Sequence, residues 1–349
     1  MDTDGSDAPR QNNIITTHHK RYDPLWRSRT VLLPGYIEEL ERFRGELPIT
    51  RHLAWGWKLF CLSRRFQVVI TGSERLAFVF AILQKFRRHK VPHIFMQSMW
   101  DLPKSGARRL FKRVLLRTVV SSASCVLVYS RRQLELYPTL LGLPREKLVF
   151  FYSHTTPHAA EYPVSRGNYV FSGGDSNRDY ATLAAAARGL NCHFIIVTRQ
   201  LDDLPAAALP PNVEVIAGLP ADEFCRMMAG AAAVVVSLRP GALETGGRTV
   251  YGDAMSMGKA VIVADDDAGD YITNEHDGLL VPAGQAGALH HAIARVLDDT
   301  ELCMRLERNA KQTARAFAPE SFFNAIFALA DEHAGAARAG KAGERHRWV

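Results

Sequence analysis

The chain has 349 residues, 47% of them hydrophobic, which is enough for two domains with a core each. No run approaches the ~20 apolar residues that cross a bilayer, and the five scattered cysteines form neither a Cys-x-x-Cys metal pair nor a disulfide pattern, as in a reducing cytoplasm. A net charge of +7 hides an asymmetry, because residues 51–160 hold 19 Lys/Arg against 4 Asp/Glu, a balance that suits an anionic partner.

Residues 1–29 are polar and lack an apolar signal core, which predicts a mobile leader, with partial order near Tyr22 and Trp26, on a chain that is not exported. Short apolar runs follow at Thr30-Val-Leu-Leu-Pro-Gly35, Gln67-Val-Val-Ile-Thr-Gly72, His93-Ile-Phe-Met96, Cys125-Val-Leu-Val-Tyr129 and Leu148-Val-Phe-Phe-Tyr152. Helix-compatible segments lie between them, such as Glu74–His89 and Leu110–Val120. Strands alternating with helices predict a parallel sheet covered on both faces. In the second of these segments Leu110, Phe111, Val114, Leu115 and Val119 fall on one helical face. That face either packs on its own sheet or rests on a membrane surface, and Trp55, Trp57 and Lys58 add an aromatic and basic patch.

The second half repeats the pattern. Strands are expected at 168–171, 193–197, 213–216, 233–236, 260–263 and 278–281, and helices at 179–188, 221–229, 250–257, 286–297 and 300–317. A Pro-containing stretch, Thr155–Arg166, separates the halves. The expected division is 1–29 leader, 30–160 first Rossmann-like domain, 161–317 second, and 318–349 a helix crossing back to the first domain with a frayed tail. Two such α/β domains would face each other across a cleft at the carboxyl ends of their sheets, where ligands bind in this class.

Two loops suit phosphate. Phe171-Ser-Gly-Gly-Asp-Ser-Asn-Arg178 joins a strand to a helix; Gly173 and Gly174 permit close approach of the backbone, and Arg178 offers a fork of donors. Glu244-Thr-Gly-Gly-Arg-Thr-Val250 leads into another helix. There Gly246, Gly247, Arg248, Thr249 and Val250 would turn free N–H groups toward a diphosphate, although Thr249 as a simple cap fits too. Glu244 and Asp253 place carboxylates where they would hold sugar hydroxyls, with Asp253 as a helix-dipole carboxylate the plainer alternative. Phosphate and hydroxyls together describe a nucleotide sugar. Asp265-Asp-Asp267 invites a divalent cation, but no clustered carboxylate or His supports it and a solvated loop is the expectation, so no metal site is assigned.

These residues resemble glycosyltransferase family 4, retaining enzymes of the GT-B fold. The resemblance rests on Ser172-Gly-Gly-Asp-Ser-Asn-Arg-Asp-Tyr180, Asp253-Ala-Met-Ser-Met-Gly-Lys-Ala-Val-Ile262 and Asp277-Gly-Leu-Leu-Val-Pro-Ala-Gly284. It implies an α/β GT-B architecture, two Rossmann-like domains with a cleft between them, and transfer of a sugar from a nucleotide diphosphate with retention. It places Asp253 on the donor ribose. Glu244 stands one residue before the family's sugar-contacting Glu, whose position is Thr245. Arg178 matches the family's phosphate-binding Lys, while the matching Arg position is Gly173, so Arg248 or Arg199 would supply the second charge. In the first domain Asp101 follows a strand and is expected near donor sugar or acceptor, or as a cap of the next helix.

The expected enzyme uses no cofactor beyond its nucleotide-sugar substrate. Its acceptor would be a glycan or polyprenyl-phosphate-linked intermediate, and residues 51–120 would meet an anionic membrane surface on the cytoplasmic side. Nucleic acid is not an expected partner, since the basic stretches carry no reader motif. A nonenzymatic binder of this fold is the second reading. A dinucleotide oxidoreductase fails because Gly35 lacks the further glycines of a Gly-x-Gly-x-x-Gly turn.

Overall fold

The computed structural model describes residues 13–17, 24–43, 47–96, 100, 106–156, 159–204, 209–241, 246–265 and 268–339. The chain forms two compact units, Met1–Phe151 with Phe323–Val349, and Tyr152–Phe322.

The first unit begins with β1 (Ile14–Thr16), α1 (Pro24–Arg29), β2 (Thr30–Leu32) and α2 (Tyr36–Arg42). It continues through α3 (Ile49–Leu62), β3 (Val68–Thr71), α4 (Glu74–Gln84), β4 (His93–Phe95) and α5 (Ala107–Ser122). It then runs through β5 (Cys125–Val128), α6 (Arg131–Leu141) and β6 (Leu148–Phe150). The strands form a parallel sheet in the order β2-β1-β3-β4-β5-β6.

The second unit contains β7 (Tyr169–Gly173), α7 (Tyr180–Ala187), β8 (His193–Thr198), β9 (Val213–Ala217), α8 (Ala221–Gly230) and β10 (Ala233–Ser237). After these come α9 (Arg248–Met257), β11 (Val261–Ala264), β12 (Leu279–Val281), α10 (Ala286–Asp298) and α11 (Thr300–Thr313). Its parallel sheet runs β12-β11-β10-β7-β8-β9. Every residue of β10 and β11 is buried, because a parallel strand covered on both faces reads as an unbroken apolar run. A last helix, α12 (Pro319–Arg338), starts in the second unit and continues into the first.

Three expectations change. The stretch expected as leader contains β1, whose Ile14 and Ile15 are buried between β2 and β3, while the order expected near Trp26 takes the form of α1, in which Trp26 is fully buried. Pairing on both sides, rather than any local pattern, holds this three-residue strand. The helix expected to reach His89 stops at Gln84.

The apolar face expected on α5 is divided. Leu116, Val119 and Val120 are buried, whereas Leu110, Phe111 and Val114 are 64%, 70% and 58% exposed. The inward line at helical spacing passes through Arg109, Lys112 and Arg113, which are half-buried.

Candidate functional site

The second sheet's carboxyl edge gathers the two glycine turns. Gly173 ends β7, and Gly174 follows at φ +113, a conformation that L side chains rarely adopt. Its N–H donates to Val197 O at 3.0 Å, which holds the turn against β8. Gly247 (φ +81) caps α9 without a side-chain bond. The first intrahelical bond is Tyr251 N to Gly247 O, 3.0 Å. The N–H groups of Arg248, Thr249 and Val250 therefore have no carbonyl within the helix to donate to, at the positive end of its dipole. Thr249 is exposed, while Arg248 and Val250 are each 8% exposed.

Arg178 joins the two turns. It follows Asn177, itself at φ 56, and bridges to Leu238 beyond β10. Its Nε donates to Gly173 O (3.0 Å) and its Nη1 to Ser176 O (2.8 Å). A Cβ on Gly174 would fall 2.3 Å from Nη2, one on Gly246 3.2 Å from Nη1, and one on Gly247 3.4 Å from Nη1. The guanidinium thus occupies the space that three missing side chains leave. It is 2% exposed. Burial lowers its pKa, opposed by nearby Tyr180 and Asp175, yet arginine stays charged in proteins. Among the described residues no carboxylate forms an ion pair with it. The donor fork expected for phosphate is therefore partly engaged by the protein's own carbonyls, and a buried positive charge remains between two amide-rich turns.

Arg199, expected as a second phosphate cation, is committed to Asp175. Its backbone N–H and Nε donate to the carboxylate at 2.8 and 2.7 Å, and Thr198 Oγ1 adds a bond at 3.2 Å. Burial pushes the Asp175 pKa up, but Arg199 and Thr198 outweigh it and hold the group below its ordinary value.

Asp253 lies on α9, 4% exposed, and both its oxygens are held by Thr156: the N–H and the hydroxyl each donate at 2.6 Å. The residue expected to meet a ribose thus ties the start of the second unit to α9. Beneath α9, Tyr152, Tyr251, Tyr271 and Phe317 form an aromatic cluster with centroid spacings of 5.0–5.7 Å. Burial raises the Tyr271 pKa, and nearby Arg248 works against that rise.

The sequence reading missed Thr156, Asp175 and Tyr180, whose hydroxyl donates to Gly174 O. Asp175 sits in the same loop as Arg178 and Tyr180 opens the helix after it, so their proximity was available; Thr156 carried no local signal. Glu244 and Asp101 lie outside the described residues, as do Asp266 and Asp267. Among the described residues no three His, Cys, Asp or Glu side chains group as metal ligands.

Two sequence families match. Residues 15–153 match the glycosyl transferase 4-like domain, and residues 178–299 match glycosyl transferases group 1. No curated protein sequence matches the chain. Among solved structures, HepE of Anabaena in complex with UDP is 18% identical, over 91% of this chain and 99% of that one, with a TM-score of 0.65. Sucrose-phosphate synthase of Thermosynechococcus elongatus is 17% identical over 83% and 81%, TM-score 0.60. A glycosyltransferase of Rickettsia africae is 14% identical over 87% and 89%, TM-score 0.62. With a match on each half and two parallel six-stranded sheets of the GT-B type, the chain belongs to the family 4-like glycosyltransferases.

Proposed function

We propose that the protein transfers a sugar from a nucleoside diphosphate sugar, and that its second unit holds the donor's diphosphate. The observation that carries this is the buried Arg178 charge between the Gly173–Gly174 and Gly246–Gly247 turns. Bond cleavage at the anomeric carbon leaves negative charge on the departing phosphate. A fixed cation and the amides of Arg248, Thr249 and Val250 stabilise that charge more in the transition state than in the ground state. In this reading they do so without a metal. Retention follows from the family resemblance; with no residue offered as a covalent nucleophile, a leaving phosphate oxygen would deprotonate the acceptor on the same face. Glu244 would meet the donor sugar, and Asp101 the sugar or acceptor. A lipid-linked or cell-surface glycan acceptor, met by a chain peripheral to a membrane, suits the basic first unit.

Calorimetry with UDP, GDP, ADP and TDP tests donor binding, UDP first because HepE was solved with it. Arg178→Ala should weaken the preferred nucleotide at least about tenfold, or ~1.4 kcal/mol. Unchanged affinity in a folded variant would remove the assignment. The hold of Thr156 on Asp253 also favours a second reading, a binder of nucleotide sugar without turnover. Hydrolysis or transfer of a radiolabelled donor separates the two.

A further inference from the structure

The amino edge of the first sheet holds a hollow of about 730 Å³. Gln67 and Pro92, the residues before β3 and β4, line its floor, so it lies at the opposite edge from the one where ligand crevices of α/β sheets form. Trp57 and Phe60 of α3, Arg64 beyond it, and Phe86, Arg87 and Lys90 after α4 form its walls. Among the described residues no carboxylate lines it. Arg87 is fixed in place: its guanidinium lies 3.7 Å from the Phe60 ring centre, Nη1 donates to Ser63 Oγ at 2.8 Å, and Nη2 donates to Phe60 O. Its Nε is buried with no acceptor among the described residues. Burial and the like charge of Arg64 both lower its pKa. Cations held together without an acid are an arrangement that an anion relieves.

The rim is apolar and in water. Phe86 is 84% and Trp57 58% exposed. Ile49 and Leu53 continue the exposed line along α3. Residues 49–122 contain 15 Lys/Arg and 2 Asp/Glu. A polynucleotide backbone would satisfy the cations but leave these apolar side chains in water. An anionic bilayer satisfies both, since basic side chains meet headgroups while Trp and Phe enter the interfacial layer.

We propose that this face docks on an anionic lipid surface, with a headgroup phosphate seated in the hollow against Arg64, Arg87 and Lys90. The proposal narrows the peripheral membrane placement above, on which it rests, and is independent of donor binding.

The test is sedimentation of the full chain with vesicles of phosphatidylcholine alone or mixed equally with phosphatidylglycerol. The wild type should pellet with the mixed vesicles only and be released by salt. Exposed Arg64 and Lys90, changed together to Glu, should weaken binding about fivefold or more for each cation removed. Tryptophan emission should shift to the blue on the mixed vesicles, and Trp57→Phe should abolish the shift. UDP affinity should be unchanged in every variant, which separates failure here from failure of the donor reading. Three results would overturn the proposal: no pelleting of the wild type, equal pelleting of the Arg64/Lys90 variant, or release by inorganic phosphate or duplex DNA with Trp57 emission unmoved throughout.

Discussion

Asp253 shows how a single residue decides between two readings of the site. Its carboxylate accepts both donors of Thr156 in a buried setting. Asp253→Ala leaves that N–H and hydroxyl unpaired, and should cost about 2–3 kcal/mol, read as a fall of several degrees in melting temperature. A variant that melts normally yet loses UDP affinity would instead place the carboxylate on the ribose. Asp175 gives a pH signature. Its folded pKa lies below the unfolded value of about 3.9, so near that pH the unfolded chain binds more protons and stability rises with pH. The contribution is complete above the unfolded pKa and is lost as pH falls through the folded one. Denaturation of wild type and Asp175→Asn should therefore differ at pH 6 and converge at acid pH; a constant difference would exclude the Arg199 pairing as its source.

The packing of α3 on α4 depends on Gly56. A Cβ there would stand 2.2 Å from Val79 Cγ1 and 2.7 Å from Val79 Cβ. Valine is stiff at χ1, so the helices must part. Gly56→Ala should lose about 1–3 kcal/mol from overpacking, exceeding the ~1 kcal/mol gained in helix propensity. A rise in melting temperature would show that the helices have room. Neither this contact nor α3 itself was legible in the sequence, where Trp-Gly-Trp interrupts a helical reading. By contrast β3, β5, β10 and β11 announced themselves, because strands buried on both faces need continuous β-branched or aliphatic runs. The strand β1 did not, since three residues show no period and its burial comes from neighbours on either side. The same limit governs the site. Arg178 and Gly174 share one loop and Gly246 and Gly247 a recognisable second turn, so the residues that the fold brings together were readable. Asp253 and Thr156 are 97 residues apart, and only folding pairs them.

At the scale of the whole chain, α12 returns the C-terminal segment to the first unit, where it closes over α1. Trp26 is fully buried, with the rings of Phe323 and Phe327 at 5.2 and 5.5 Å. The accompanying Arg29–Asp331 ion pair at 2.6 Å is exposed and contributes little by comparison. Sequence-distant segments are thus joined by apolar burial, and the first unit's stability depends on residues more than 300 positions beyond its first strand. Phe327→Ala should leave a cavity beside the Trp26 ring at a cost of about 3–5 kcal/mol. The first unit should then melt earlier and the indole emission shift to the red as water reaches it. The proposed donor site lies on the second unit's turns, so UDP affinity measured well below the transition should be unchanged. Unaltered melting would show that α12 adds no stability to the unit it joins, and Trp26 would then owe its burial to α1 and the sheet alone.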